Sequence, residues 1–165
     1  MLGELASFGS SRDTARPGTG EAESFYAGLA REHGLWLVPG SVYERAAEHV
    51  YNTALVINPA GETVGRYRKQ FPFLPYETDV EAGADYVVFD IPGAGRVGVA
   101  ICYDMWFPEA MRTLAGMAPR KRARLMLALW APQDHEILLG KYLITMDHFV
   151  PVHRAHYLHN LPVKV

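Results

Sequence analysis

The chain lacks three features that define large classes of protein. It has 165 residues but one cysteine, so it cannot form an internal disulfide, and this favours a reducing, cytoplasmic setting. No apolar run approaches the roughly 20 residues that cross a bilayer, and the first residues lack the basic and apolar stretches of a secretory signal. The formal net charge is -2, too small to attract nucleic acid or an anionic membrane surface. We therefore predict a cytoplasmic protein without nucleic-acid or membrane partners.

The composition is that of a folded globular domain. Hydrophobic residues make up 49% of the chain and charged residues 21%, which is enough apolar surface for a core. The composition changes near Met117, where a basic run begins, and five of the seven histidines follow. We therefore predict a domain over residues 1–117 and a divergent tail over 118–165, with a poorly matched continuation of the same domain as the alternative.

Hydrophobic periodicity predicts helices mixed with strands. Residues 9–20 are typical of a loop, and the apolar spacing that follows predicts a helix ending before Gly34. A short strand is predicted at 35–38, and two hairpins are predicted at 51–68 and 86–101. Pro108 suits the first turn of a second helix. Together these elements predict an α/β sandwich.

Cys102 follows the second hairpin directly, at the junction between a strand and a turn. Backbone N–H groups at such a junction can stabilise a thiolate and, later, an oxyanion. A lone cysteine is more often an inert core thiol, so its position alone does not establish a nucleophile.

Three motifs together resemble the nitrilase superfamily of carbon-nitrogen hydrolases. The segment from Val99 to Glu109, which contains Cys102, resembles the nucleophile motif of that family. The segment from Arg66 to Phe73 resembles the one that carries the catalytic lysine, here Lys69. It follows a segment, Tyr51 to Ala54, that is familiar from the same family.

Two glutamates complete the resemblance. Glu77 stands where many members have a second active-site glutamate, and Leu2-Gly3-Glu4-Leu5 resembles the phrase that carries the general base, with Gly3 in place of the usual proline. Taken singly, Glu4 and Glu77 are more often solvated acids, and Lys69 is more often a solvated residue of a strand edge. The order of the motifs along the chain favours the functional interpretation.

The resemblance implies a nitrilase-type α/β/β/α sandwich and a role for each residue. Cys102 would attack an amide or carbamoyl carbon to form a thioester, and Glu4 would transfer the protons. Lys69 and the backbone N–H of Tyr103 would stabilise the oxyanion, and Glu77 would orient the lysine or the substrate. The family needs no cofactor or metal for this reaction. A small-molecule amide is the expected substrate, because Cys102 is followed by Tyr-Asp, as in amidase branches, and not by the Trp-Glu of nitrilases.

The departures from the family pattern also lead to expectations. The resemblance covers about residues 2–117, and strands that should precede Glu4 and follow Gly116 are missing, so the sandwich is expected to be incomplete at both ends. Residues 125–132 are a candidate for one displaced strand. We expect the full-length family member to be a homo-oligomer, and this chain by itself to be a weak catalyst or an inactive fragment.

A third class of function is a histidine-based metal site in the tail. The residues concerned are spaced mostly by three and would share a helical face. No cysteine or well-spaced acidic residue accompanies them, so surface histidines are the simpler interpretation. The basic run 120–124 is likewise typical of a solvated turn. The histidines are His148, His153, His156 and His159.

Overall fold

The computed structural model describes residues 4–5, 7–74 and 76–117, together with the backbone of two strands at 123–128 and 143–145. Within these residues the chain forms two four-stranded sheets. The first contains, in order, β1 (Arg16–Pro17), β2 (Ser41–Ala46), β3 (His49–Ile57) and β4 (Thr63–Arg68). The second contains, in order, β5 (Val88–Ile91), β6 (Gly95–Ile101), β7 (Ala123–Ala128) and β8 (Leu143–Thr145).

The strands pair in both directions. β1 lies parallel to β2 and β6 lies parallel to β7, and the other neighbours are antiparallel. The β3–β4 and β5–β6 pairs are the two hairpins that the sequence predicts. Each of their loops places a glycine at positive φ in the turn, Gly61 in the first and Gly93 in the second, a conformation that glycine adopts without steric cost.

Two helices cover the sheets. Helix α1 (Gly20–His33) begins after Thr19 and ends at Gly34, which has a φ of 59° and donates its N–H to the carbonyls of Ala30 and Arg31. Helix α2 (Pro108–Gly116) begins with proline, whose missing N–H has no helical partner to lose at that position. No helix in the described part of the chain is long and apolar enough to span a membrane.

Alternation along the central strands produces the layers. Leu55 and Ile57 of β3 pack against α1, while Ala54 and Val56 face the second sheet. In β6, Val97, Val99 and Ile101 face the first sheet, and Ala100 packs against α2. The layer order is therefore helix, sheet, sheet, helix, which confirms the predicted α/β/β/α sandwich.

One predicted strand is absent, and β1 and β2 lie where no strand was predicted. Residues 35–38 do not form a strand, because only Leu37 pairs with Ile57 in an isolated bridge, and Pro39, with no N–H to donate, and Gly40, with a φ of 85°, end the pairing there. Residues 41–46, which were not predicted, form β2. Its charged Glu44 hides the strand pattern in the sequence, and it is buried because Thr53 and Arg68 donate hydrogen bonds to its carboxylate.

Candidate active site

Three polar side chains form a row across the first sheet. The β2–β3 register places Tyr43 opposite Asn52, and the N–H of Lys69 donates to the carbonyl of Asn52 at 2.8 Å, which extends the β3–β4 ladder by one residue. Alternation puts Asn52 on the same face of β3 as Ala54 and Val56, which is the face that packs against the second sheet. The row therefore lies at one end of the space between the sheets.

Lys69 is buried between two carboxylates. Its side chain is 1% exposed, and Nζ lies 2.8 Å from Oε1 of Glu4 and 2.6 Å from Oε2 of Glu77. Burial acts to lower the pKa of Lys69, but the two carboxylates outweigh it and raise the pKa above its ordinary value. Lys69 is therefore held as an ammonium ion despite its burial.

Glu4 and Glu77 are both fixed by the backbone around them. The N–H of Leu5 donates to Oγ of Ser41 at 3.1 Å, and Leu5 has a φ of 52°, so the chain turns sharply after Glu4. Glu77 closes its own turn, because the N–H of Phe73 donates to its Oε2 at 2.6 Å. Burial raises the pKa of Glu4 above its ordinary value, and Lys69 opposes the shift only in part.

Asn52 joins the two glutamates. Its Nδ2 donates to Oε1 of Glu4 at 2.6 Å and to Oε1 of Glu77 at 2.8 Å. No role for Asn52 was predicted from the sequence, although the sequence contains a signal for one. Asn52 is a polar residue on the core-facing side of a strand that is otherwise apolar on that side, which is typical of a residue that binds another polar group.

Cys102 stands at the end of β6 with a φ of 43°, a left-handed conformation that is uncommon for any residue except glycine. It begins a 3-10 helix (Cys102–Trp106) and packs against the edge of the core between the sheets. The sequence predicted this junction between strand and turn.

Asp104 holds the turn that carries Cys102. Its buried carboxylate accepts hydrogen bonds from the Tyr67 hydroxyl at 2.7 Å and from the N–H groups of Ile101 and Phe71, both at 2.9 Å. Burial raises the pKa of Asp104, and these hydrogen bonds oppose the shift. Because Tyr67 belongs to β4, Asp104 links the cysteine turn to the sheet that carries Lys69.

The structure brings four of the five residues predicted from the sequence to one pocket. Its volume is about 160 Å³. The fifth, Tyr103, follows Cys102 in the 3-10 helix, and its ring lies 4.8 Å from that of Phe73, a residue of the pocket wall. The other pocket residues were not predicted from the sequence; they are Leu5, Ser10, Tyr43, Phe73 and Tyr76. The lining residues are Glu4, Leu5, Ser10, Tyr43, Lys69, Phe73, Tyr76, Glu77 and Cys102.

The pocket combines groups that can carry out acyl transfer. It contains a thiol, a carboxyl group with a raised pKa and a buried ammonium ion, which are the types of group that serve as nucleophile, proton carrier and oxyanion partner.

Burial, followed by the charges of Glu77 and Glu4, raises the pKa of Tyr43 to about 12, so its hydroxyl stays protonated near neutral pH.

Metal ligation has no candidate in the described residues, where no three His, Cys, Asp or Glu side chains are grouped to hold an ion. His148, His153, His156 and His159 lie outside the described residues, and so do Arg120 to Arg122 of the basic run.

Curated proteins similar to this chain include hydrolases of carbon-nitrogen bonds. A nitrilase of Pyrococcus abyssi is 40% identical over 97 residues, which cover 58% of this chain and 36% of that protein. Deaminated glutathione amidase of Bos taurus is 35% identical over 160 residues, which cover 84% of this chain and 47% of that protein. The chain therefore spans between about a third and a half of the length of these two relatives.

A solved structure and a family model give the same result. The crystal structure of an amidase from Nesterenkonia sp. matches with a TM-score of 0.62 and 25% identity, over 80% of this chain and 52% of that one. The model of the carbon-nitrogen hydrolase family matches residues 1–150. With its sandwich fold and these matches, the chain belongs to the carbon-nitrogen hydrolase family, within the nitrilase superfamily.

Proposed function

We propose that this chain carries the catalytic site of an enzyme that hydrolyses the carbon-nitrogen bond of a small amide or carbamoyl compound through a thioester at Cys102. The observation that supports it most is the grouping of Cys102 in one pocket with Lys69, Glu4 and Glu77, in which the Lys69 ammonium lies within hydrogen-bonding distance of both carboxylates. The chain spans only part of its relatives, so the activity of the whole protein is part of the proposal.

The first step forms the thioester. Glu4 accepts the proton of the Cys102 thiol while the sulfur attacks the carbonyl carbon. The carbonyl oxygen becomes an oxyanion, which the Lys69 ammonium and the backbone N–H of Tyr103 stabilise. Glu4 then gives its proton to the substrate nitrogen, the carbon-nitrogen bond breaks, and ammonia or an amine leaves.

The second step regenerates the enzyme. A water molecule loses a proton to Glu4 and attacks the thioester carbon, again with Lys69 and Tyr103 at the oxyanion. The carbon-sulfur bond breaks, the carboxylic acid or carbamic acid leaves, and the proton returns from Glu4 to the sulfur. The raised pKa of Glu4 supports this role, because a carboxyl group that gives and takes protons near neutral pH needs a pKa closer to that range.

Glu77 has a supporting role in this proposal. It accepts a hydrogen bond from Lys69 at 2.6 Å and closes the turn of residues 73–77. Two carboxylates beside one ammonium keep Lys69 charged, and the charge is what the oxyanion needs. Glu77 therefore orients Lys69 and does not need to exchange protons with the substrate.

We propose amides over nitriles as substrates. The support is the Tyr103-Asp104 pair after the cysteine, together with relatives named as amidases, although one relative is named nitrilase. The domain boundary near Met117, a homo-oligomeric full-length protein and a cytoplasmic setting stay predictions.

The test is a screen of short aliphatic amides, carbamoyl amino acids and the matching nitriles, with Cys102→Ala as the blank. We expect weak turnover of an amide that the blank lacks, and inactivation by a thiol reagent that the same amide slows. Faster turnover of a nitrile than of its amide would overturn the substrate assignment. Amide turnover by the Cys102→Ala variant would overturn the thioester mechanism. Rapid thiol labelling that no amide slows would favour an inactive fragment of the family.

A further inference from the structure

We propose that Asn52 is a positioning residue: it determines which of the two carboxylate oxygens of Glu4 accepts the proton of Cys102. This inference rests on the proposed function, because it assigns a partner to the proposed base. Asn52 is fully buried, with 0% of its surface exposed, and it lies next to Lys69 across the β3–β4 ladder.

The side chains of Glu4, Asn52, Glu77 and Lys69 form a closed ring of hydrogen bonds. Lys69 Nζ donates to Glu4 and Glu77, and Asn52 Nδ2 donates to the same two glutamates. On Glu77 the two donors bind different oxygens, Oε2 and Oε1. On Glu4 both donors bind Oε1, at 2.8 Å from Lys69 and 2.6 Å from Asn52.

This asymmetry distinguishes the two oxygens of Glu4. Oε1 holds two hydrogen bonds, from an ammonium and from an amide, and so binds a proton weakly. Oε2 receives neither of these bonds, so it is the more basic oxygen and the one able to take a proton from Cys102 in the same pocket. A second donor on Oε1 restricts rotation of the carboxylate about its last bond more than Lys69 alone does.

The orientation of the Asn52 amide follows from its neighbours. Both of its N–H groups face carboxylates, and its Oδ1 has no hydrogen-bond partner within the described residues. Reversing the amide would point Oδ1 at two carboxylates and lose both charge-assisted bonds. A buried amide with an unpaired acceptor costs stability, so its presence here fits a role at the site.

The test measures how the rate of alkylation of Cys102 by iodoacetamide depends on pH, in the full chain, by mass spectrometry. Asn52→Leu removes both donors at similar size, and Asn52→Ser keeps one. The matched control is Thr53→Val, which removes a buried donor to Glu44 on the neighbouring position of the same strand. Glu4→Gln removes the proposed base.

We expect the acid limb of the alkylation profile to move to higher pH by about one unit in Asn52→Leu, because a hydrogen bond to a charged group is lost. Asn52→Ser should fall between the wild type and Asn52→Leu, and Thr53→Val should leave the limb in place. With a turned-over amide, we expect Asn52→Leu to lower kcat about ten-fold at a pH above the limb with KM unchanged, since the base is misplaced and binding is not.

The Glu4→Gln variant separates failure of this inference from failure of the proposed function. If Glu4→Gln keeps the wild-type limb, Glu4 is not the base and the proposed function fails. If Glu4→Gln loses the limb while Asn52→Leu keeps it unmoved, only the role of Asn52 is wrong. An equal shift in Thr53→Val would also overturn that role. If circular dichroism shows that Asn52→Leu is unfolded, Asn52→Ser decides, and an unmoved limb in it overturns the inference.

Discussion

Removal of the Tyr67 hydroxyl tests how the turn that carries Cys102 is held. In Tyr67→Phe the fully buried ring stays, and the hydroxyl is removed with its 2.7 Å hydrogen bond to Asp104 and its hydrogen bond from the backbone of Gln70. The carboxylate keeps the N–H groups of Ile101 and Phe71. A hydrogen bond to a buried charged group contributes about 1.5–3 kcal/mol, so we expect the free energy of unfolding to fall by about 2 kcal/mol.

Tyr26→Phe is the matched control. The Tyr26 hydroxyl makes a hydrogen bond of the same length, 2.7 Å, to the Ser7 hydroxyl, but both groups are neutral and the pair is only partly buried. A neutral bond contributes about 0.5–1.5 kcal/mol, so the loss should be near 1 kcal/mol. The two variants differ in the charge and burial of the partner and not in the atom removed.

Urea unfolding measured by tryptophan fluorescence and circular dichroism compares the two variants. With a slope of about 2 kcal/mol per molar urea, the midpoint should fall by about 1 M in Tyr67→Phe and by about half as much in Tyr26→Phe. Equal shifts, or a larger shift for Tyr26→Phe, would show that Asp104 does not stabilise the turn in the way its geometry indicates.

Three further predictions concern charged groups. The acid limb of kcat/KM should lie above pH 4.5, the ordinary pKa of a glutamate, because burial raises the pKa of Glu4 and the base must be ionised; a limb at or below that pH contradicts it. Partial burial raises the pKa of Glu23, but Thr19, Thr63 and Arg66 outweigh it and hold the pKa at about 2. The stabilisation of the folded state by the ionised Glu23 carboxylate should be complete above pH 4.5 and disappear as pH falls towards 2. The melting temperatures of wild type and Glu23→Gln should therefore converge at low pH, and a difference that stays constant with pH refutes this. Lys69→Met leaves the carboxylates of Glu4 and Glu77 buried together, and should lower the free energy of unfolding by about 3–5 kcal/mol at pH 7. The loss should be smaller at pH 5, where protonation of a carboxylate relieves the repulsion. Urea unfolding at both pH values checks this, and an equal loss at both contradicts it.

The sequence was sufficient to predict the helices and strands that have strong local signals. Helix α1 ends at the predicted glycine, both predicted hairpins form, and Pro108 begins a helix as predicted. Strand β2 was missed because Glu44 breaks its apolar pattern, and only the distant Arg68 explains how that charge is buried. The order of motifs brought Lys69, Glu4 and Glu77 into the prediction, while Asn52 acquires its role through pairing across strands, which a pattern along the chain does not contain.

The candidate chemistry is divided between two sheets that pack face to face. Asn52 belongs to the first sheet and Lys69 directly follows its strand β4, whereas Cys102 directly follows β6 of the second sheet. Core side chains such as Val56 and Val99 fill the space between the sheets. Close-packed interiors transmit changes in volume, so the size of these side chains sets the separation between the proposed nucleophile and the groups that serve it. Under the proposed function, replacement of one aliphatic residue by another in the core should alter rate as well as stability. Residues that contact no substrate would then contribute to the speed of the proposed reaction.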